Sequence, residues 1–130
     1  MTRSATVVGA IFLAALSGQG ALACRCREPT VAQAFRRADA VVLGRVTGIR
    51  GTGPSRTMFD VEISRAWKGA PRGRVRVQTG SDCALPVAPD STYLLFLRRD
   101  AGGGYYTRRC MGDRLAPSAA DLRKVDDAGR

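Results

Sequence analysis

The residues of this chain whose types and spacing could do chemistry are its four cysteines. Cys24 and Cys26 stand two residues apart, whereas Cys83 and Cys110 follow far along the chain. The segment before them has the layout of a secretory signal peptide over residues 1–23: an early arginine, a short apolar run and a small-residue cleavage site. Cleavage there would give the mature chain a cysteine with a free α-amino group. In an oxidising compartment an even number of cysteines is expected to form disulfides.

This leader predicts a secreted or periplasmic protein. Its apolar run, Val7–Leu16, is too short to remain as a membrane anchor, so we expect no transmembrane segment in the mature form. A lipoprotein anchored through Cys24 is the alternative. The sequence favours simple cleavage after Ala23, because lipoprotein signals prefer leucine at the position of Ala21 and lipidation would leave an odd number of cysteines.

The cysteines can pair in three ways. A bond between Cys24 and Cys26 would be strained, which leaves each of them to reach either Cys83 or Cys110. Both remaining arrangements would tie the N-terminus to the domain and close loops many tens of residues long. In the chain-entropy account each such loop contributes about 4 kcal/mol. The spacing leaves these two arrangements open.

The chain contains no histidine. This absence excludes Ser-His-Asp and Cys-His catalysis and histidine-ligated zinc. Asp60 and Glu62 share one strand face, where alternating carboxylates are normally solvated, and no nucleophile–base pair is visible. We therefore predict a protein that is not an enzyme and that has no cofactor or metal of its own. The length after the leader fits one domain, residues 24–125, followed by a frayed tail, 126–130.

Hydrophobic patterning predicts two helices and five strands. Thr30 and Gln33 form a capping box that opens a short helix ending near Asp39, and Ser118 is expected to begin a C-terminal helix. Alternating or continuous apolar runs predict strands at 40–49, 57–67, 74–78, 92–97 and 105–110. Five antiparallel strands, the first bent at Gly44, close most economically as a mainly β Greek-key barrel of the OB-fold type. A sandwich usually needs about seven strands.

The chain is strongly basic, with 21 Lys and Arg against 11 Asp and Glu and a formal net charge of +10. Such a charge favours anionic cell-envelope or extracellular polymers as partners, although a solvated, self-repelling surface is the plainer interpretation. The candidate anion-binding residues are Arg74 and Arg76 on one strand and Arg98, Arg99, Arg108 and Arg109 around one hairpin. Tyr105 and Tyr106 are the only exposed aromatic residues expected nearby, and export argues against nucleic acid as the partner.

Several short segments of the sequence occur in the order that is typical of one protein family. They are Cys24-Arg25-Cys26, Pro29, Ala34-Phe35, Ala38-Asp39-Ala40-Val41-Val42, Gly44-Arg45-Val46, Cys83, the Tyr93–Leu97 strand and Cys110. With them the chain resembles the netrin-like module, in particular the N-terminal domain of the tissue inhibitors of metalloproteinases. Trp67-Lys68-Gly69 is similar to a tripeptide common in bacterial members. The resemblance implies the OB-type barrel and pairs Cys24 with Cys83 and Cys26 with Cys110.

The resemblance also implies a function. In the animal inhibitors the α-amine and carbonyl of the first cysteine chelate the zinc of the target protease, a role that would fall to Cys24 here. Arg25 would enter the specificity pocket, with Cys26 beside it, and Ser81-Asp82 would form a second contact ridge. The family usually has a small Thr or Ser where this chain has Arg25. The alternative is a basic exported module that binds anionic polymers without inhibiting a protease.

Overall fold

The computed structural model describes residues 24–53, 56–69, 72–80 and 83–130; the expected signal peptide lies outside them. In this part of the chain two helices flank six strands. The helices are α1 (Val31–Arg37) and α2 (Ala119–Ala128). The strands are β1 (Ala40–Gly53), β2 (Arg56–Lys68), β3 (Arg74–Gly80), β4 (Thr92–Arg99), β5 (Tyr105–Tyr106) and β6 (Arg114–Leu115).

Five of these strands close into a barrel. β1 pairs antiparallel with both β2 and β4, and β2 continues the sheet to β3. The ring closes through β5, which runs parallel to β3 and antiparallel to β4. This connectivity confirms the predicted five-stranded barrel of the OB-fold type, in which closure removes the exposed edges of an open sheet.

The strands differ from the prediction on the C-terminal side of the barrel. β5 ends at Tyr106 rather than at Cys110, and the chain turns at Arg109 and Cys110, where Cys110 has a positive φ of 66°. β6 is an addition to the predicted set: Arg114–Leu115 pairs with Tyr93 and Leu94 of β4, outside the ring. A strand of two residues has no alternation that a sequence pattern could reveal.

β1 bends at Gly44, as predicted. The register between β1 and β2 shifts between Leu43 and Gly44, and a Cβ atom at this glycine would lie 2.8 Å from the carbonyl oxygen of Glu62. A side chain here would therefore force the two strands apart. The bend lets one long strand pair with β4 through its first half and with β2 along most of its length.

β4 is buried on both faces because two apolar layers meet at it. Tyr93, Leu95 and Leu97 belong to the core inside the barrel, whereas Leu94 and Phe96 belong to an outer core beneath the helices. The inner core also holds Ala40, Val42, Val46, Phe59, Val61 and Val77. The outer core also holds Ala34, Ala38, Val41 and Val125. The apolar run of β4 is continuous because its two faces pack against different cores.

Helix α1 begins with the predicted capping box. The backbone N–H of Gln33 donates to Thr30 Oγ1 at 3.2 Å, and the Gln33 side chain accepts from the Thr30 N–H at 3.1 Å. These two bonds satisfy donors that a helix start leaves unpaired. The helix ends at Arg37, slightly earlier than predicted, because Ala38 is already extended and leads directly into β1.

Helix α2 corrects the prediction of a frayed tail from Asp126. It continues to Ala128, Val125 is fully buried, and Asp126 accepts a hydrogen bond of 2.8 Å from Trp67 Nε1. Asp126 also pairs with Arg65, whose guanidinium lies 4.4 Å from the centre of the Trp67 ring. The end of the chain carries few apolar residues, so its attachment through an aspartate to β2 left no hydrophobic signal in the sequence.

Candidate functional site

Two disulfides hold the N-terminal segment against the barrel. Cys24 is bonded to Cys83 and Cys26 to Cys110, with Cα atoms 5.0 and 5.9 Å apart. This is the pairing that the family resemblance implied. Disulfides are typical of an oxidising extracellular or periplasmic environment. Because they close long loops of chain, they fix a segment that has no helix or strand of its own.

Residues 24–30, the clamped segment, have no helix or strand and are largely open to solvent. Residues 25–28 are exposed, Cys24 is half-buried, and Pro29 is buried just before α1 begins. Glu28 forms an ion pair with Arg114 at 3.7 Å, which ties the segment to β6 as well. Residues 25–28 are therefore exposed on a segment that two disulfides and an ion pair hold in place.

Of the other residues expected to contact a protease, the structure describes only two. Arg25 and Cys26 are both exposed on the clamped segment, where a partner could reach them. Ser81 and Asp82 lie outside the described residues, so their predicted role as a second contact ridge stays a prediction. Within the described part of the chain, the sulfurs of Cys24, Cys26 and Cys110 lie within 4.8 Å of one another. All three are in disulfides, and the thiolate is the metal-binding form of cysteine, so we assign no metal site to them.

The six arginines expected to bind anions separate into different environments. Arg74 and Arg76 are exposed on β3, but Arg76 is engaged by Asp60, with 3.8 Å between Arg76 Nε and Asp60 Oδ1. Asp60 was expected on a solvated face. Its side chain is instead only 8% exposed and lies 2.9 Å from Arg50, so this carboxylate is enclosed between two arginines. Asp60 keeps its predicted place on the outer face of β2, between the inward residues Phe59 and Val61, but the two arginines cover it.

Three of the expected arginines surround a cavity of about 330 Å³ beside the Cys26–Cys110 disulfide. Arg98 comes from the end of β4, and Arg108 and Arg109 follow β5. A fourth arginine in the wall, Arg37 of α1, was not among the predicted anion-binding residues. Nothing in the sequence shows that the end of α1 faces the chain after β5, because only the barrel closure brings them together.

The remaining member of the set, Arg99, is exposed and is not among the residues lining the cavity. Its backbone N–H donates to Asp39 Oδ2 at 2.8 Å, and that same carboxylate lies 3.6 Å from Arg98. The tyrosines also differ from expectation. Tyr105 packs against the inner core, and Tyr106 is half-buried at the cavity. Neither offers the open stacking surface that would favour nucleic acid.

The carboxyl group of Asp113 was not among the residues predicted from the sequence. Asp113 accepts a hydrogen bond of 2.7 Å from the backbone N–H of Phe96 and another from the Thr107 hydroxyl. Burial raises the pKa of Asp113 to about 7, and repulsion from Glu28 adds to the increase, although both hydrogen bonds and Arg114 oppose it. A single aspartate in a loop has no local pattern that distinguishes it, so no sequence signal could have identified this group.

No protein-family model matches the chain, and a search of curated proteins finds no match. The resemblance to the netrin-like module therefore stays a prediction. Among the described residues, no helix has both the length and the apolar character needed to cross a membrane.

Proposed function

We propose that this protein is an exported, non-enzymatic inhibitor of zinc metalloproteases that acts through the backbone of Cys24. The observation that carries the proposal is the double attachment of the N-terminal segment. Cys24 and Cys26 are each bonded to a distant loop, and the residues between and after them are exposed. The proposal rests further on export with cleavage after Ala23, which the sequence predicts.

The chemistry of this function requires two ligand atoms on one residue. A catalytic zinc keeps a position open for water or substrate and can expand to five ligands, so the α-amine and carbonyl of an N-terminal residue could displace the water and bind together. An α-amine has a pKa near 8, so it loses its proton readily enough to bind a metal at neutral pH. A residue already fixed by a disulfide loses little further conformational freedom on binding.

The second residue of the segment narrows the class of target. Arg25 is long, charged and exposed, and it follows directly after the proposed chelating residue. An apolar specificity pocket would have to desolvate its guanidinium without a partner, which is costly. We therefore expect the target protease to have a specificity pocket lined by carboxylates or other acceptors.

The test compares two forms of the exported protein with intact disulfides. One begins at Cys24, and the other carries one added alanine before it. Both are titrated against a panel of zinc metalloproteases that differ in their specificity pockets, with mass spectrometry to verify each N-terminus. We expect inhibition by the first form, strongest for enzymes with acidic pockets, and its loss in the extended form. Equal inhibition by both forms would contradict a role for the α-amine.

A second candidate function is the binding of anionic polymers. Exposed arginines on β3 and around the cavity support it, together with the excess of basic residues in the chain. Attraction to a polyanion of this kind weakens steeply as salt screens the charges. Chromatography on immobilised heparin at increasing ionic strength tests it, because retention that does not change with salt would contradict binding driven by charge.

A further inference from the structure

The cavity beside the Cys26–Cys110 disulfide has an unusual distribution of charge. Four guanidinium groups line it, from Arg37, Arg98, Arg108 and Arg109, and among the described residues no carboxylate belongs to its wall. These arginines come from α1, from the end of β4 and from the chain after β5. The fold therefore gathers like charges from three separate segments around one concave site, which raises the local positive potential.

Most of this charge is not neutralised by a neighbour. Arg98 lies 3.6 Å from Asp39, and Arg109 Nε donates to the backbone carbonyl of Ala84 at 3.2 Å. Within the described residues, Arg37 and Arg108 have no carboxylate within ion-pair distance. The Arg108 guanidinium instead lies 5.8 Å from the centre of the Tyr106 ring. This contact orients the guanidinium without neutralising its charge. Two arginines at this site thus keep free donors for an anion.

The other part of the cavity wall is apolar. It is formed by Ala34 of α1, by Ala38 just after that helix, by Phe96 of β4 and by Met111. Phe96, Ala34 and Ala38 are themselves buried in the outer core, so this wall is rigid rather than a mobile surface. The disulfide closes one side. A polar rim with fixed donors over an apolar base is the usual construction of a small-molecule site.

We propose that this cavity binds an organic anion with a short apolar body. The anionic head, a sulfate or carboxylate, would lie between Arg37 and Arg108, where planar guanidinium groups can donate paired hydrogen bonds. The body would lie on Phe96 and Met111. A volume of about 330 Å³ corresponds to roughly ten waters, which fits a ligand of about ten non-hydrogen atoms. This proposal does not rest on protease inhibition through Cys24, although the cavity borders the same disulfides, since Cys26 and Cys83 also line it.

The proposal is tested with hexyl sulfate as the probe and nuclear magnetic resonance as the readout. Titration into the disulfide-bonded protein should give saturable shifts of the arginine Nε–H signals and the Met111 methyl signal. We expect hexyl sulfate to bind at least tenfold more tightly than inorganic sulfate, which lacks the body. Hexanol, which lacks the charge, should not saturate. Equal affinity of hexyl sulfate and inorganic sulfate, or of hexyl sulfate and hexanol, would overturn the proposal.

Matched arginine variants separate the cavity from general surface charge. Arg37→Gln and Arg108→Gln should each weaken hexyl sulfate binding at least threefold, whereas Arg123→Gln, which removes the same charge from α2, should leave it unchanged. All three side chains are exposed, and each variant's spectrum verifies the fold. Equal weakening by all three variants would overturn the proposal, since it would show a diffuse charge effect. So would displacement of hexyl sulfate by a heparin hexasaccharide of higher affinity, because that ligand has no apolar body.

Discussion

The sulfur of Cys24 lies 3.7 Å from the sulfur of Cys26, although each is bonded to a different and distant cysteine. The partners are Cys83, in the connection between β3 and β4, and Cys110, in the turn after β5. Two loops that are far apart in the chain therefore meet at one short segment. Attachment at two points so close together fixes the orientation of that segment, and a single disulfide would fix only its position.

This arrangement predicts different roles for the two disulfides. The double variant C24A/C83A keeps the backbone amine and carbonyl of residue 24 but removes the disulfide that holds this residue to the barrel. Because the residue must then be ordered on binding, we expect inhibition of a susceptible protease to weaken at least tenfold. C26A/C110A is the matched control, since it leaves Cys24 attached and should inhibit more strongly than C24A/C83A. Each variant should lose up to about 4 kcal/mol of unfolding free energy in urea. Inhibition by C24A/C83A at the level of the unmodified protein would contradict the role given to the clamp.

The barrel could be predicted because each of its main strands carries its own signal. Phe59 and Val61 alternate with polar residues along β2, and the uninterrupted run in β4 indicates burial on both faces. The capping box of Thr30 and Gln33 located the start of α1 within one residue. Each of these signals is local, and the structure confirmed each of them.

The features that the sequence did not predict depend on contacts between different elements. Asp60 is buried because two arginines from neighbouring strands enclose it, and Arg37 reaches the cavity because barrel closure brings α1 to the end of β4. Asp113 is distinguished only by the hydrogen bonds that it accepts from the Phe96 N–H and the Thr107 hydroxyl. Contacts of this kind depend on how elements meet, and the spacing along one element does not contain that information.

The enclosed carboxylate of Asp60 predicts non-additive effects of its two arginine partners. Arg50 and Arg76 are largely exposed, so Arg50→Gln or Arg76→Gln alone should cost at most about 1 kcal/mol of unfolding free energy. The double variant leaves a buried charge without a partner and should cost about 3 kcal/mol, more than the sum. Arg74→Gln, on the same strand, should stay within about 0.5 kcal/mol. Urea unfolding measures all four, and a simply additive result would argue against the enclosure of Asp60.

The end of α2 predicts a sharp boundary for C-terminal truncation. Removing residues 125–130 deletes Val125, which is fully buried, and breaks the bond from Trp67 to Asp126. Loss of the valine alone should cost about 1.5–3 kcal/mol, enough to lower the melting temperature by several degrees. Removing only residues 129–130 leaves these contacts in place and should change the melting temperature little. Equal melting temperatures for the two truncated proteins would indicate that the helix end is frayed after all.

Asp113 predicts an unusual dependence of stability on pH. Burial raises the pKa of its carboxyl to about 7 in the folded protein, against 3.8 for an exposed aspartate. Between these two values the folded state holds a proton that the unfolded chain releases. The contribution of this group to stability is therefore complete below about pH 4 and is lost as the pH rises towards 7. The slope is at most about 1.4 kcal/mol per pH unit, and it ends above pH 7, where both states are ionised.

Asp113→Asn isolates this contribution. The amide is neutral at every pH and keeps an acceptor oxygen for the Phe96 N–H, so it resembles the protonated carboxyl. We expect the variant to be more stable than the unmodified protein at pH 8 and to lose the decline between pH 4 and 7 in urea unfolding. Asp127→Asn removes an exposed carboxylate near the end of α2 and serves as the control, which should retain the decline. A variant at position 113 whose stability falls with pH as steeply as that of the unmodified protein would show that Asp113 is ionised throughout, held as a carboxylate by its two donors.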